Sequence, residues 1–543
     1  MIDILVAPDG ELTFLILVIA GLLAIDLLNL GIGAFQSYYY PKIDLKMNYD
    51  LQKKLITTIS RVRYSKFDSP EFHDSMELAL KETGGLTKTV DVMLGIISNF
   101  VNLVAALILC LSYDWIIPLI LVVSCIPYWL VRDKLNKYSY DISKENNAIG
   151  RRLSGFRHIL TSNYYAGEVR SFGLLDFLLK KYEWEVDSRK QLINSSNKKK
   201  NFYSSMLSVI YALVNSVTYL RVAVRTFTKA LTLGEFTVVA SYVSKVQGSL
   251  SGLIDNVLNV TERNMYLGNL FTFFSLAESE DDSDKISLAG KKAHRIEFRN
   301  VSFSYPTNPD KKVLKNVSFV IRPYESVLLM GENGAGKTTI IKLINGFYDN
   351  YDGDILIDGI NIRELKPSSI WREISCMFQD CNLLPITLRE NVFFGDEGLQ
   401  AKYKAGDYEW FDSIVNKYPN HLDTVLLTYL YPNGVEPSGG EKQRIKLYRS
   451  IIKDSGVIIL DEPTSAIDTE TEEQVVRGIR DISKTRTCII VSHNLSCAVT
   501  TDKIIHLKDG VICEEGSHKD LMEADGEYKR LFEIKKRLYD EEV

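Results

Sequence analysis

Gly331-Glu332-Asn333-Gly334-Ala335-Gly336-Lys337-Thr338-Thr339 sets three glycines, a lysine and two hydroxyls within nine residues. It follows the apolar run Ser326-Val327-Leu328-Leu329-Met330, which reads as a buried strand, so the pattern GxxxxGK[ST] stands between a strand and a helix, where it has physical meaning. Glycines let the backbone curl so that its N–H groups, and the N-terminus of the following helix, face an anion. Lys337 offers a point charge to the β- and γ-phosphates of a nucleotide, and the Thr338 hydroxyl suits a hard cation such as Mg²⁺. Thr339 and the intervening Glu332, Asn333 and Ala335 complete the predicted phosphate cradle.

A second signal lies at Val457-Ile458-Ile459-Leu460-Asp461-Glu462, an apolar strand ending in two acids. In a parallel sheet such a strand opens at its C-terminal end on the ligand crevice. Asp461 is then placed to hold Mg²⁺, directly or through water, and Glu462 to poise an attacking water. Together the two motifs predict ATP hydrolysis.

The elements that must position these residues divide the chain. Its 543 residues exceed one ordinary domain. Charged residues make up 24%, yet the long apolar runs all precede about residue 260. A helix needs about 20 apolar residues to cross a bilayer. Five runs come close, near 13–35, 92–112, 115–131, 203–225 and 234–256. The first lacks the basic start and small-residue cleavage site of a signal peptide and reads as a span. Lys46, Lys53, Lys54, Arg61, Arg63 and Lys66 in one long loop, and Arg151, Arg152, Arg157, Lys180, Lys181 and Lys198–Lys200 in the other, place both loops in the cytosol. Both continue a helical period, as helices projecting beyond the membrane would, with a break or cap expected at Ser195-Ser196-Asn197. Arg221 and Arg225, near the outer end of the fourth run, either snorkel or line a pathway.

These features predict an all-α transmembrane domain over 1–277, an acidic linker over 278–293 and an α/β P-loop NTPase domain over 294–543. A net charge of −5 disfavours nucleic acid as a partner, and seven scattered cysteines without a CxxC pair argue against a disulfide framework or a thiolate metal site.

Both halves together resemble an ABC exporter half-transporter of the bacterial multidrug or peptide type, most sharply over 295–520. The resemblance implies that Tyr305, in Phe303-Ser304-Tyr305-Pro306, stacks on adenine. It implies that Gln379, in Met377-Phe378-Gln379-Asp380, senses Mg²⁺ and the water, and that His493, in Val491-Ser492-His493, contacts the γ-phosphate. It also implies that Asp468 faces the site of a second subunit, and that Ser438, Gly439 and Gly440, in Pro437-Ser438-Gly439-Gly440-Glu441, bind the γ-phosphate held by that subunit. The family's motif reads Leu-Ser-Gly-Gly-Gln, so two of its five positions differ here. Ser438 with Glu441 forms an S-x-x-E capping box.

A homodimer, or a heterodimer with a second half-transporter, is therefore expected, in the cytoplasmic membrane with its ATP-binding domain in the cytosol. The family usually has six spans, and the first is the one missing from the count of five. ATP-driven export of a peptide, lipid or amphipathic drug is the leading reading. The stretch Asp68 to Asp74 resembles bacterial peptide exporters, and an ATP-gated regulator or channel without net transport is the alternative.

Overall fold

The computed structural model describes residues 12–82, 86–228, 231–278, 284–379, 382–428, 431–465, 467–492 and 494–541. The chain forms two units, Met1–Arg61 with Asp74–Glu278, and Val62–His73 with Ser279–Val543.

The first unit is helical. It contains α1 (Leu12–Ile59), most of α2 (Pro70–Glu82), α3 (Leu86–Tyr113), α4 (Ile116–Thr161), a short α5 (Asn163–Ser171), α6 (Leu175–Phe227) and α7 (Leu233–Glu278). Helices α1, α4, α6 and α7 run for 48, 46, 53 and 46 residues. At about 1.5 Å per residue each exceeds twice the hydrocarbon thickness, so the expected cytosolic loops are continuations of the spans. No break occurs at Ser195-Ser196-Asn197: Ser196 is buried within continuous α6. Packing outweighs weak local propensity there, with Arg189 and Lys200 of α6 donating to Asn146 and Ser139 of α4.

The core lies where α3, α4, α6 and α7 meet. Leu103, Ala106 and Cys110 of α3 and Val239, Val243 and Val246 of α7 recur every three or four residues and pack on Ile117, Leu121 and Val222. Leu23, Leu27, Phe100, Ile108, Leu213 and Leu220 stand exposed, as lipid-facing side chains would.

Among the described residues four helices are long and apolar enough to cross a membrane, namely Ile19–Ile59, Thr89–Tyr113, Ile116–Thr161 and Leu175–Phe227. The fifth expected span is helical but too polar to count with them. Glu235, Lys245 and Asp255 interrupt its apolar run. It holds its place by packing and polar contacts: the Asp255 carboxylate accepts from Arg132 Nε at 2.6 Å and from the Tyr128 hydroxyl at 2.9 Å.

The second unit has two sheets. An antiparallel sheet orders β2 (Lys312–Ile321), β1 (Ile296–Ser304), β4 (Tyr351–Ile357) and β5 (Ile360–Asn361). The larger sheet runs β10 (Val511–Gly516), β9 (Lys503–Lys508), β3 (Ser326–Gly331), β8 (Thr487–Val491), β7 (Val457–Asp461) and β6 (Ile374–Met377). All its neighbours pair in parallel except β10 with β9. Strands β3, β7 and β8 are buried at every residue, which is why they read as continuous apolar runs.

Residues 62–73 belong to this unit although they lie between two membrane-domain helices in sequence, a departure from a clean division at 277. Tyr64 stacks on Phe347 at 4.4 Å between ring centroids, and the Tyr348 hydroxyl donates to Asp68.

Candidate functional site

Register brings the two motifs together. Leu329 of β3 pairs with Val491 of β8, and Val491 pairs in turn with Asp461 of β7, so β7 and β8 end level and β3 runs two residues further, to Gly331. The turn after β3 and the acids after β7 therefore open on one crevice, at the carboxyl ends of a parallel sheet.

The turn needs its glycines. Gly331 has φ 151°, and a Cβ there would come 2.2 Å from the Leu507 carbonyl oxygen. Gly336, at φ 106°, caps α8 (Lys337–Ile344) and has no room for a Cβ beside Leu314. Lys337 is buried and donates to the Gly331 and Glu332 carbonyl oxygens at 2.6 and 3.0 Å, which folds its ammonium back along the loop.

A cavity of about 770 Å³ opens over this turn. Its walls bring together Tyr305, Asn333, Gly334, Gly336, Lys337, Thr338, Thr339, Gln379, Asp461 and Glu462. Gly331, Glu332 and Ala335 support the loop from outside that lining. The Tyr305 hydroxyl meets Thr339 Oγ1 at 3.0 Å, and its ring contacts Phe303 and Tyr348 edge-on, so it is both a cavity wall and part of an aromatic cluster. Burial raises the Tyr305 pKa above its usual value and keeps the phenol neutral.

Asp461 is buried at the strand end, whereas Glu462 turns sharply to φ 53°. That left-handed geometry is costly for a residue with a Cβ and collects at functional sites. Its backbone is held on both sides: Glu462 N–H donates to the Val491 carbonyl at 2.8 Å, and Gln443 Nε2 donates to the Glu462 carbonyl at 2.6 Å. Gln443 belongs to α9 (Gly439–Ile452), whose first turn carries Ser438, Gly439 and Gly440.

Those three residues are not in the cavity of their own chain, and neither is Asp468. Asp468 instead caps α10 (Thr469–Ser483) by accepting from Thr471 N–H, a bond that lowers its pKa. His493 lies outside the described residues. Lys311, Lys312 and Lys315 also line the cavity, a basic wall whose sequence signal, three lysines within five residues, went unread. For a divalent cation, Thr338 hydroxyl, Gln379 amide and Asp461 carboxylate are all oxygen donors on one cavity, a set that fits Mg²⁺.

Residues 1–250 match the family model of the ABC transporter transmembrane region, and residues 314–465 that of the ABC transporter. The subtilin transport ATP-binding protein SpaT of Bacillus subtilis is 28% identical over 98% of this chain and 87% of its own length. The ATP-dependent lipid A-core flippase of Photorhabdus laumondii is 30% identical over 92% of this chain and 85% of its own. Its counterpart in Escherichia coli K12 is 30% identical over 88% and 78%. Among solved structures, that of a bacterial Atm1-family ABC exporter with ATP bound has a TM-score of 0.79 over 98% of this chain and 93% of its own, a likeness of fold at 22% identity. The chain belongs to the ABC transporter family, as an exporter subunit in which a multi-pass membrane domain is joined to an ATP-binding domain that couples ATP hydrolysis to translocation.

Proposed function

We propose that two such chains form an ATP-driven exporter of a peptide, lipid or other amphipathic substrate across the cytoplasmic membrane, with the ATP-binding domains in the cytosol. One observation carries the dimer: the cavity gathers the P-loop, Gln379, Asp461 and Glu462 but leaves out Ser438, Gly439, Gly440 and Asp468. A Cβ on Gly439 would meet nothing within 4 Å in its own chain. Its glycine therefore answers to something outside the chain, for which a phosphate on a second subunit is the natural candidate. Helix α5 also buries none of its residues, and its Tyr164 and the Phe172 that follows it stand 85% and 75% exposed, aromatic surface that suits a protein partner. An identical partner is the simpler assembly, because this chain carries Glu462 and Lys337 itself.

In the proposed reaction the loop N–H groups and Lys337 bind the phosphates, and Lys337 leaves the Gly331 and Glu332 carbonyls to do so. Tyr305 supports the base. Thr338, Gln379 and Asp461 would hold Mg²⁺, which supplies charge neutralisation on the phosphate oxygens when bound. Glu462, fixed by Gln443 and Val491, orients and deprotonates water, and His493 contacts the γ-phosphate. ATP draws the Ser438–Gly440 turn of one chain onto the P-loop of the other, and loss of the γ-phosphate releases it.

Tyr64 stacks on Phe347, and Phe347 stacks on Phe378 next to Gln379, an aromatic route from residues 62–73 to the cavity wall that supports coupling. The reading is tested by steady-state ATPase of the chain in lipid nanodiscs, with oligomeric mass recorded on the same sample. Glu462→Gln should slow turnover at least about 100-fold, the scale of a lost general base. Equal rates for variant and wild type would overturn it. Vesicle assays with a labelled cationic peptide and a labelled lipid then separate the substrate classes.

A further inference from the structure

The first turn of α9 holds a negative charge where an anion is to be received. Ser438 Oγ accepts from Glu441 N–H at 3.3 Å, and Glu441 Oε2 accepts from Ser438 N–H at 2.8 Å, a reciprocal capping box. The box itself needs no charge, because a glutamine serves as well at that position. Burial favours the neutral acid, but hydrogen bonds from Lys417 and Ser438 outweigh it and hold the Glu441 carboxyl below its usual range. The group is thus ionised at neutral pH, and its side chain is only 7% exposed. Unopposed, a carboxylate so placed repels a triphosphate arriving at the same turn and cancels much of the attraction of the helix N-terminus.

It is opposed. The second oxygen, Glu441 Oε1, accepts from Lys417 Nζ at 2.6 Å. Lys417 is the last residue of the helix Glu409–Lys417, 24 residues earlier, and its own side chain is 67% exposed. The neighbouring Glu436 and Lys442 pair with each other at 2.6 Å. Each carboxylate beside the turn is matched by a lysine, so neither Glu436 nor Glu441 faces an incoming phosphate without a counter-charge.

We infer that Lys417 is a positioning residue for ATP hydrolysis: it neutralises Glu441 so that the Ser438–Gly440 turn can receive the γ-phosphate held by a partner subunit. The assignment rests on the two-chain site proposed above. It also explains how glutamate can occupy the place where the family motif has glutamine: the substitution comes with a counter-charge on another helix.

The test is ATPase kinetics of the full-length dimer in nanodiscs for wild type, K417Q, K417R, E441Q, the double variant K417Q/E441Q and E462Q. K417Q should raise the KM for ATP about tenfold with a smaller change in kcat, the scale of one uncompensated like charge at a partly solvated site. Added salt should narrow that gap. K417R should stay near wild type, and K417Q/E441Q should return the KM to within about twofold of wild type, since it removes both charges and keeps an S-x-x-Q box. A pair that only stabilised α9 would lower the melting temperature of K417Q and of the double variant alike, with no rescue of KM. Wild-type KM in K417Q, or a double variant as impaired as K417Q, would overturn the role of Lys417 while a slow E462Q left the two-chain site standing. An E462Q dimer as fast as wild type would overturn both.

Discussion

Glu462 was legible in sequence as an acid at the end of an apolar strand, but neither its left-handed backbone nor the group that enforces it was. Gln443 lies 19 residues away on helix α9, so its bond to the Glu462 carbonyl exists only after α9 packs beside β7. Such a bond contributes on the order of 1 kcal/mol. Gln443→Ala should therefore lower kcat about fivefold through a displaced Glu462, with the KM for ATP nearly unchanged, because Gln443 is not a cavity residue. Steady-state kinetics check this, and a KM effect with unchanged kcat would contradict it. The same split between motif and context runs through the cavity. The P-loop residues are consecutive, so sequence names them together, whereas Lys311, Lys312 and Lys315 gain meaning only when β2 is laid beside the loop. Burial pushes the thiol of Cys488 up to about 12 and that of Cys497 to about 11.

Helices in the membrane domain were foreseen through their apolar runs, and their ends and partners were not. The tight turn between α3 and α4 shows why. Asp114, with its side chain 2% exposed, accepts from Arg221 Nε at 2.7 Å and forms an ion pair with Arg225 Nη1 at 3.2 Å, both reaching over from α6. It also accepts the Ile116 N–H at the start of α4, and Arg225 donates to the Tyr113 carbonyl. Neither snorkelling nor pathway lining anticipated this, since the partner lies more than 100 residues away in sequence. One carboxylate thus ties three helices at the end of the bundle. Asp114→Asn keeps an acceptor for Ile116 but leaves two guanidiniums without their anion. It should cost about 1–2 kcal/mol, less than a fully dry pair because both arginines are partly exposed. Thermal unfolding in detergent should show a lower melting temperature for Asp114→Asn and a lower one still for Asp114→Ala. Unchanged melting would mean the cluster does not stabilise the bundle. The same tertiary logic explains α7, whose Asp255 is accommodated within the bundle by Tyr128 and Arg132 of α4.

At the scale of the whole molecule, the division into a membrane domain and an ATPase domain follows from composition, because apolar runs of span length and nucleotide motifs never mix along the chain. What composition does not carry is which chain completes which site, and here Glu462 and Gly439 give a decisive pair. Glu462 lines the cavity of its own chain, while Gly439 does not and could carry a Cβ without a clash. If sites form between two copies, Glu462→Gln disables the site on its own chain, whereas Gly439→Asp disables the site on its partner. A dimer with one variant of each kind then keeps one site with both Glu462 and Gly439 intact, and either variant paired with itself keeps none. Co-expression of the two inactive variants under separate tags should restore ATPase, to roughly a quarter of the wild-type rate per chain if half of the dimers are mixed and each site works alone. Tandem purification of the mixed dimer should raise that share. Were the site complete within one chain, each copy would still carry its own defect and mixing would restore nothing. A requirement for a different second chain would give a third pattern, with no ATPase even in the wild-type homodimer, and would move the search to the partner that supplies the missing half.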